Sequence, residues 1–336
     1  MNSRERVVRA IEFAGPDRLP YRHNVLPGAY LHHGSALSDL LARYPSDFAE
    51  TGYGEPSEYG AKVGVGQADA WGAIWVRETD EHKGQVVVHP LANWESLECY
   101  RFPDPLTAGD WSRVPETLRR GGHERYVLVD GDTLFQRMFY LRGYEALMLD
   151  LAEDRPEAYH LRDRIVAFML RKIEKWLEYD VDGFQFRDDW GTQQGLMINP
   201  ALWRKFFKPA YRQFFAAVRS AGKHVHFHSD GQIQAIIPDL IELGVQVLNP
   251  QVKVVGHDFL ARSFGGKLCF LGDIDRQHVL PYGTPEGVAR YTLREIEALG
   301  SYNGGYIGNG ELAADVPMAN AEAMYRTFVG YRYSGA

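Results

Sequence analysis

Three histidines and an aspartate occupy every second position of Gly222-Lys-His-Val-His-Phe-His-Ser-Asp-Gly231. Successive residues of a strand point to opposite faces, so His224, His226, His228 and Asp230 share one face and Val225 and Phe227 the other. Polar residues inward and apolar residues outward is the pattern of a barrel strand near its catalytic mouth. A histidine and an aspartate two apart at such a strand end can grip a metal ion or share a proton. His224 and His226 read as satisfied core histidines, whereas His228 and Asp230 lie nearest the mouth and read as the reactive pair. A second candidate is Asp188-Asp189. Adjacent residues of a strand face opposite sides, so one carboxylate can act as a general acid or base while the other caps the next turn.

Other chemistries lack their signatures. The glycines of Gly304-Gly-Tyr-Ile-Gly-Asn-Gly310 do not have dinucleotide or phosphate-loop spacing, and neither a G-x-S-x-G elbow nor an HExxH helix is present. The two cysteines, Cys99 and Cys269, match no disulfide framework or CxxC site. A net charge of −7 and a pI near 6.0 give no electrostatic case for nucleic acid or an anionic membrane as partner. The N-terminus is charged where a signal peptide would be apolar, and no run reaches membrane-spanning length. The expectation is a cytoplasmic enzyme acting on a small molecule.

The elements that must position these residues follow a strand–helix rhythm. Strands are expected at 17–25, 125–131, 183–190, 222–230, 245–249, 268–274 and 304–309. Helices are expected at 3–13, 38–44, 134–150, 156–179, 199–221, 232–243, 283–299 and 318–331. Asn199-Pro200 and Thr284-Pro285 read as a cap followed by a first-turn proline. Residues 50–68 read as loop. Two strands at 71–79 and 84–90 predict a β-hairpin inserted near the N-terminus, either a flap or a substrate lid. Apolar strands alternating with amphipathic helices argue for a parallel sheet, and so many repeats favour closure. With 336 residues the chain suits one α/β domain over 1–336, a (β/α)8 TIM barrel, with a doubly wound sheet as the alternative.

In a barrel the reactive groups come from strand ends and the loops after them. These positions hold His23 and Asn24, Asp130 and Asp132, Arg187 with Asp188 and Asp189, His228 and Asp230, Asn249, Asp273 and Asp275, and Asn309 with Glu311. One polar strand end is usually a turn residue, but so many on one face argue for a site.

An ordered series of motifs resembles the uroporphyrinogen decarboxylase superfamily, whose barrels include the decarboxylase and corrinoid-linked methyltransferases. The series is Asp17-Arg-Leu-Pro, Asp69-Ala-Trp-Gly, His89-Pro90, Asp188-Asp-Trp-Gly-Thr-Gln-Gln-Gly-Leu-Met-Ile-Asn-Pro200, His228-Ser-Asp-Gly231, Ile237-Pro-Asp-Leu-Ile-Glu-Leu-Gly-Val245, Leu248-Asn-Pro250, Gly272-Asp-Ile-Asp275, Gly283-Thr-Pro-Glu286 and Asp315-Val-Pro317. The methyltransferase branch has His-x-Cys-Gly where this chain has His228-Ser-Asp-Gly231, and a second cysteine near Gly308-Asn-Gly-Glu311. The resemblance implies either a metal held by His228, Asp230 and Glu311, a harder set still able to bind zinc and also suiting manganese or iron, or the loss of the metal. The decarboxylase branch uses an arginine-rich segment after its first strand, of which this chain keeps Arg22; that argues against a substrate with as many carboxylates as uroporphyrinogen.

The expected function is methyl transfer between a small methylated compound and a corrinoid protein or thiol. Asp188, Asp189, His228 and Asp230 would be catalytic. Arg22, His23, Asn24, Asp132, Arg187, Gln194, Asn249, Asp273 and Asn309 would bind substrate. The alternatives are decarboxylation of a small carboxylic acid and non-catalytic corrinoid or tetrapyrrole binding. The resemblance also implies a homodimer.

Overall fold

The computed structural model describes residues 1–49, 51, 62–79, 84–121 and 123–333. Six parallel strands pair in the order Tyr306–Ile307, Cys269–Leu271, Val247–Pro250, His224–Ser229, Gly183–Arg187, Leu128–Asp132. The backbone then carries the sheet into a ring. Tyr126 bridges to Phe48, the Asp47 N–H donates to the Tyr21 carbonyl, and Tyr21 bridges to Gly308. Asn24–Val25 pair in parallel with Glu311–Leu312. The first strand region thus joins the last, and the fold is a (β/α)8 barrel.

Two apolar clusters hold the ring. Outward strand residues such as Val225, Phe227, Phe184, Phe186, Leu248 and Phe270 pack under the surrounding helices. Each such side chain contributes ~1.5–3 kcal/mol relative to exposure. Inward residues Phe48, Tyr126, Leu128, Val247, Cys269, Leu271 and Ile307 fill the lumen, and Val7, Ala10 and Ile11 of the first helix, Ser3–Ile11, close its floor. The Asp17-Arg-Leu-Pro motif serves this closure. Asp47, fully buried, accepts from Arg6, Arg18 and the Tyr21 N–H.

Helix starts agree with the caps expected from sequence. Asn199 accepts from the Ala201 N–H and Thr284 from the Gly287 N–H. The interiors differ. The helix expected at 134–150 is two, Phe135–Arg142 and Tyr144–Ala152, because Gly143 takes φ 92° between them. That expected at 199–221 is also two, Pro200–Phe206 and Lys208–Ser220, with Pro209 opening the second; proline lacks the N–H an uninterrupted helix needs there. The helices Pro27–His33 and His257–Phe264 were not expected.

The inserted hairpin is a three-stranded antiparallel sheet. Gln67–Ala68 adds to Ile74–Val76 and Gln85–Val88, so part of the span expected as loop is strand. Most of residues 50–61, and residues 80–83, where the sequence predicts the turn between the two strands, lie outside the described residues. Asp69 organises its base, accepting from Trp71 N–H, Ala73 N–H, Trp75 Nε1 and Arg137 Nη1. No helix among the described residues is long and apolar enough to cross a membrane.

Candidate active site at the barrel mouth

The strand Gly183–Arg187 ends just before the paired aspartates, and they part company there. Asp188 is 1 % exposed and faces the helix layer. It accepts from the Leu134 and Gln136 N–H groups at 3.0 Å, and also from the Thr133 and Tyr211 hydroxyls. Burial pushes its carboxyl up to about 6 against these donors, which favour the charged form. Its position is that of a staple between two βα loops. Asp189 turns to the mouth instead. Its Oδ2 accepts from Gln136 Nε2 at 2.9 Å and its Oδ1 from the Asp230 N–H at 3.0 Å.

Close backbone approach sets this corner. Gly231 takes φ 77°, and a Cβ there would collide with the backbone of Gly191. Two glycines on neighbouring loops therefore let the Asp189 and Asp230 segments touch. The Gly191 N–H donates to the Asp230 carbonyl at 3.0 Å.

His228 stands between the two carboxylates. Its Nε2 lies 3.5 Å from Asp189 Oδ1 and 3.6 Å from Asp230 Oδ1. One ligand atom from each of the three residues falls within 4.8 Å of the others. The opposite ring nitrogen defines the tautomer. Asn249 Nδ2 donates to the Leu271 and Gly272 carbonyls at 2.8 and 3.2 Å, so its Oδ1, 2.8 Å from His228 Nδ1, is an acceptor. Nδ1 therefore carries the proton, and a neutral His228 presents a bare Nε2 lone pair to two carboxylates. That juxtaposition is repulsive unless Nε2 is protonated or a cation lies between. Asp230 Oδ1 is itself buried without a hydrogen-bond partner among the described residues. The residues present thus fit a divalent cation with one nitrogen and two oxygen ligands, borderline to hard in character.

Arg276 supports the cluster from the next loop. Its Nη2 donates to Asp230 Oδ2 at 2.7 Å, and its Nη1 lies 3.4 Å from both Glu311 oxygens. Glu311, expected among the metal ligands, instead faces Arg276, and Asp189 takes the third place beside His228. Asp273 is 8 % exposed. Burial pushes its carboxyl well up; Arg276 opposes this, and the neighbouring Glu295, Asp230 and Glu311 reinforce it.

A cavity of about 680 Å³ opens beside this cluster, on the side of the first strands. Arg22, His23, Asp130, Gln185 and Arg187 line it. It meets the His228 cluster at Arg187, which is paired in register with His228 on the adjacent strand, a spacing of about 4.8 Å. Arg22 donates to Gln185 Oε1 at 2.8 Å and has no acidic partner among the described residues. Burial, with the like charge of Arg187, pushes it down to about 10. Arg187 donates to Asp130 at 2.6 Å.

The remaining expected residues are dispersed. His23 Nε2 donates to the Tyr44 carbonyl at 2.6 Å on the cavity wall. Asn24 sits in the closing strand opposite Glu311. Asp132 is buried against Lys172, away from the mouth. Gln194 lies in the exposed turn 192–195, its N–H donating to Thr192 Oγ1. Asn309 donates to the Gly272 carbonyl and keeps a buried Oδ1 without a partner. Asp275 caps the turn at Gln277 and His278. His224 and His226 flank the Tyr126 hydroxyl at 3.0 and 2.9 Å in the lumen below.

Gln136, Gln185 and Arg276 were not singled out from the sequence. Arg276 directly follows the Gly272-Asp-Ile-Asp275 motif, which was the available signal. Gln136 and Gln185 carry none, because a glutamine in a helix or strand is ordinarily a surface residue.

Comparisons with known proteins agree with this architecture. A methyltransferase from Methanosarcina mazei superposes with a TM-score of 0.75 at 14% sequence identity, covering 98% of each chain. The IOLI protein with a binding zinc atom aligns over 61% of this chain and 86% of its own at 16% identity, but its TM-score of 0.33 carries no argument. No curated protein sequence matches the chain. The family described as Uroporphyrinogen decarboxylase (URO-D) matches residues 79–331. With that match running from the last strand of the inserted sheet, Gln85–Val88, through every strand from Leu128 onward, the chain belongs to the uroporphyrinogen decarboxylase family.

Proposed function

We propose that the protein is a methyltransferase-type member of this family. It moves a methyl group between a small methylated compound and a corrinoid protein or thiol, with a divalent cation such as zinc or manganese at His228, Asp189 and Asp230. The observation that carries this reading is the His228 Nε2 lone pair set against Asp189 Oδ1 and the unpartnered Asp230 Oδ1. The fold likeness to the Methanosarcina mazei methyltransferase supports it at the level of architecture. When bound, the ion would act as a Lewis acid towards a heteroatom of the donor or acceptor.

The chain's own residues do the rest. Asn249 keeps His228 in one tautomer and one ring orientation. Gln136 and Arg276 each hold one carboxylate oxygen, which leaves the other oxygen directed at His228. Arg22 and Arg187 orient an anionic group of the substrate in the cavity. Burial pushes the Asp273 carboxyl up, which favours its holding a proton at the rim.

A second reading is favoured by the cavity rather than the cluster. A guanidinium without an acidic partner at Arg22 suits a carboxylate substrate, and a protonated His228 could return a proton after carbon dioxide leaves. Metal content separates the two. Elemental mass spectrometry of the purified protein should find close to one equivalent of zinc or manganese. No metal, even after soaking with both ions, would rule out the methyltransferase reading and leave acid–base decarboxylation.

A further inference from the structure

Lys172 is 1 % exposed, although it belongs to the helix Pro156–Trp176 outside the barrel wall. Its Nζ donates to Asp130 Oδ2 and Asp132 Oδ2, both at 3.1 Å. The register of Leu128–Asp132 breaks between Asp130 and Asp132, so Asp130 pairs with Gln185 on the cavity side and Asp132 with Phe186 on the side of the helices, where Lys172 lies. Asp132 takes φ 77° at this bulge, and a bulge of this kind re-aims a side chain. The residue between them is Gly131, where a Cβ would meet the Phe186 ring at 2.6 Å.

The other oxygen of Asp130 accepts from Arg187 Nη2 at 2.6 Å. A chain of charge-assisted hydrogen bonds therefore runs from Lys172 in the helix layer, through Asp130 in the barrel wall, to Arg187 on the cavity. Burial alone would raise the Asp130 carboxyl, but Arg187 and Lys172 hold it well below the usual carboxylate range. Arg187 is half exposed, at 50%. A long side chain in that setting has rotamer entropy to lose, and the Asp130 carboxylate restricts it.

We propose that Lys172 is a positioning residue, which fixes the Arg187 guanidinium on the cavity wall through Asp130 so that Arg187 meets a substrate carboxylate in one orientation. This rests on the cavity being a carboxylate receptor, as argued above. A merely structural role, neutralising the buried Asp132 and the cavity-wall Asp130, would leave the motion of Arg187 unchanged.

The test reads that motion directly. The Nε–Hε order parameter of Arg187, its signal assigned with Arg187→Lys, is measured by nuclear magnetic resonance alongside benzoate binding by calorimetry. In the wild type Arg187 should be ordered. Lys172→Met should lower the order parameter to below about 0.6 and weaken benzoate binding about tenfold, and Lys172→Arg should restore both. If Lys172→Met does not fold, Lys172→Gln/Asp132→Asn keeps the net charge of the cluster and should give the same loosening. An Arg187 equally ordered in a folded variant would overturn the proposal. Loosening of Arg187 in a protein whose wild type binds no benzoate would uphold the positioning and defeat the carboxylate reading instead.

Discussion

On one side of the mouth, Asp189, Asp230, Asp273 and Glu311 gather around His228 and Arg276. On the other side, Arg22 and Arg187 line a cavity with Gln185 and Asp130. Both sides are built from the ends of parallel strands in the same ring, so the backbone does not explain the contrast. Pairing does. Among the described residues the first side sets four carboxyl groups around the single Arg276 guanidinium and the His228 ring, and leaves Asp230 Oδ1 without a hydrogen-bond partner. The second has a guanidinium at Arg22 whose described partner is a neutral amide. One side is short of a cation and the other of an anion. A ligand bridging them would present a carboxylate to Arg22 and Arg187 and its reacting atom to the His228 cluster.

The largest expected effect breaks the first side. His228→Ala and Asp189→Ala should each lose the proposed ion, whereas Glu311→Ala should keep it, because Glu311 lies against Arg276 rather than His228. Metal content of the three variants checks this, and an ion that follows Glu311 rather than Asp189 would redraw the site. A smaller effect sharpens the second side. Arg22→Leu should weaken benzoate binding about tenfold, near 1.4 kcal/mol, while thermal stability stays level or rises, since a desolvated cation without an acidic partner is removed. A marked fall in melting temperature would show that Arg22 holds the wall rather than a ligand.

The smallest effect concerns the floor that both sides share. Burial lowers the pKa of His224 and His226, so both are neutral in the folded chain. Their contribution to stability is present above the unfolded value of about 6.5 and is lost as pH falls through the lower folded values. Melting temperature should therefore drop on acidification, and His224→Gln should flatten that drop. An unchanged acid limb would place the loss elsewhere, for instance in the carboxylates of the mouth.

Much of this was legible in the sequence, for reasons that also mark where legibility ends. Alternation in His224–Ser229 gave the face of every residue, because that strand has no bulge and so keeps its period of two throughout. The caps at Asn199 and Thr284 could be read because capping is local. The division between Asp188 and Asp189 could be stated, but not which of them faces inward; that depends on where strand pairing stops and on Gly191 meeting Gly231, a contact 40 residues apart in sequence. Asp189 in place of Glu311 has the same origin. Lys172 was invisible, since a lysine on an amphipathic helix ordinarily faces water and only the bulge at Asp130–Asp132 draws it inward.

The joint between Asn24–Val25 and Glu311–Leu312 has a consequence for how the protein is made. The first strand leaves the ribosome long before the segment that supplies one of its two neighbours. Until then its edge is open, and the nascent barrel is an unclosed sheet vulnerable to pairing with another chain. Glu311 lies on that late-arriving segment and reaches Arg276 from it. The rim of the mouth is thus completed in the same step that seals the ring, so an incompletely closed molecule would have neither a protected edge nor a finished site.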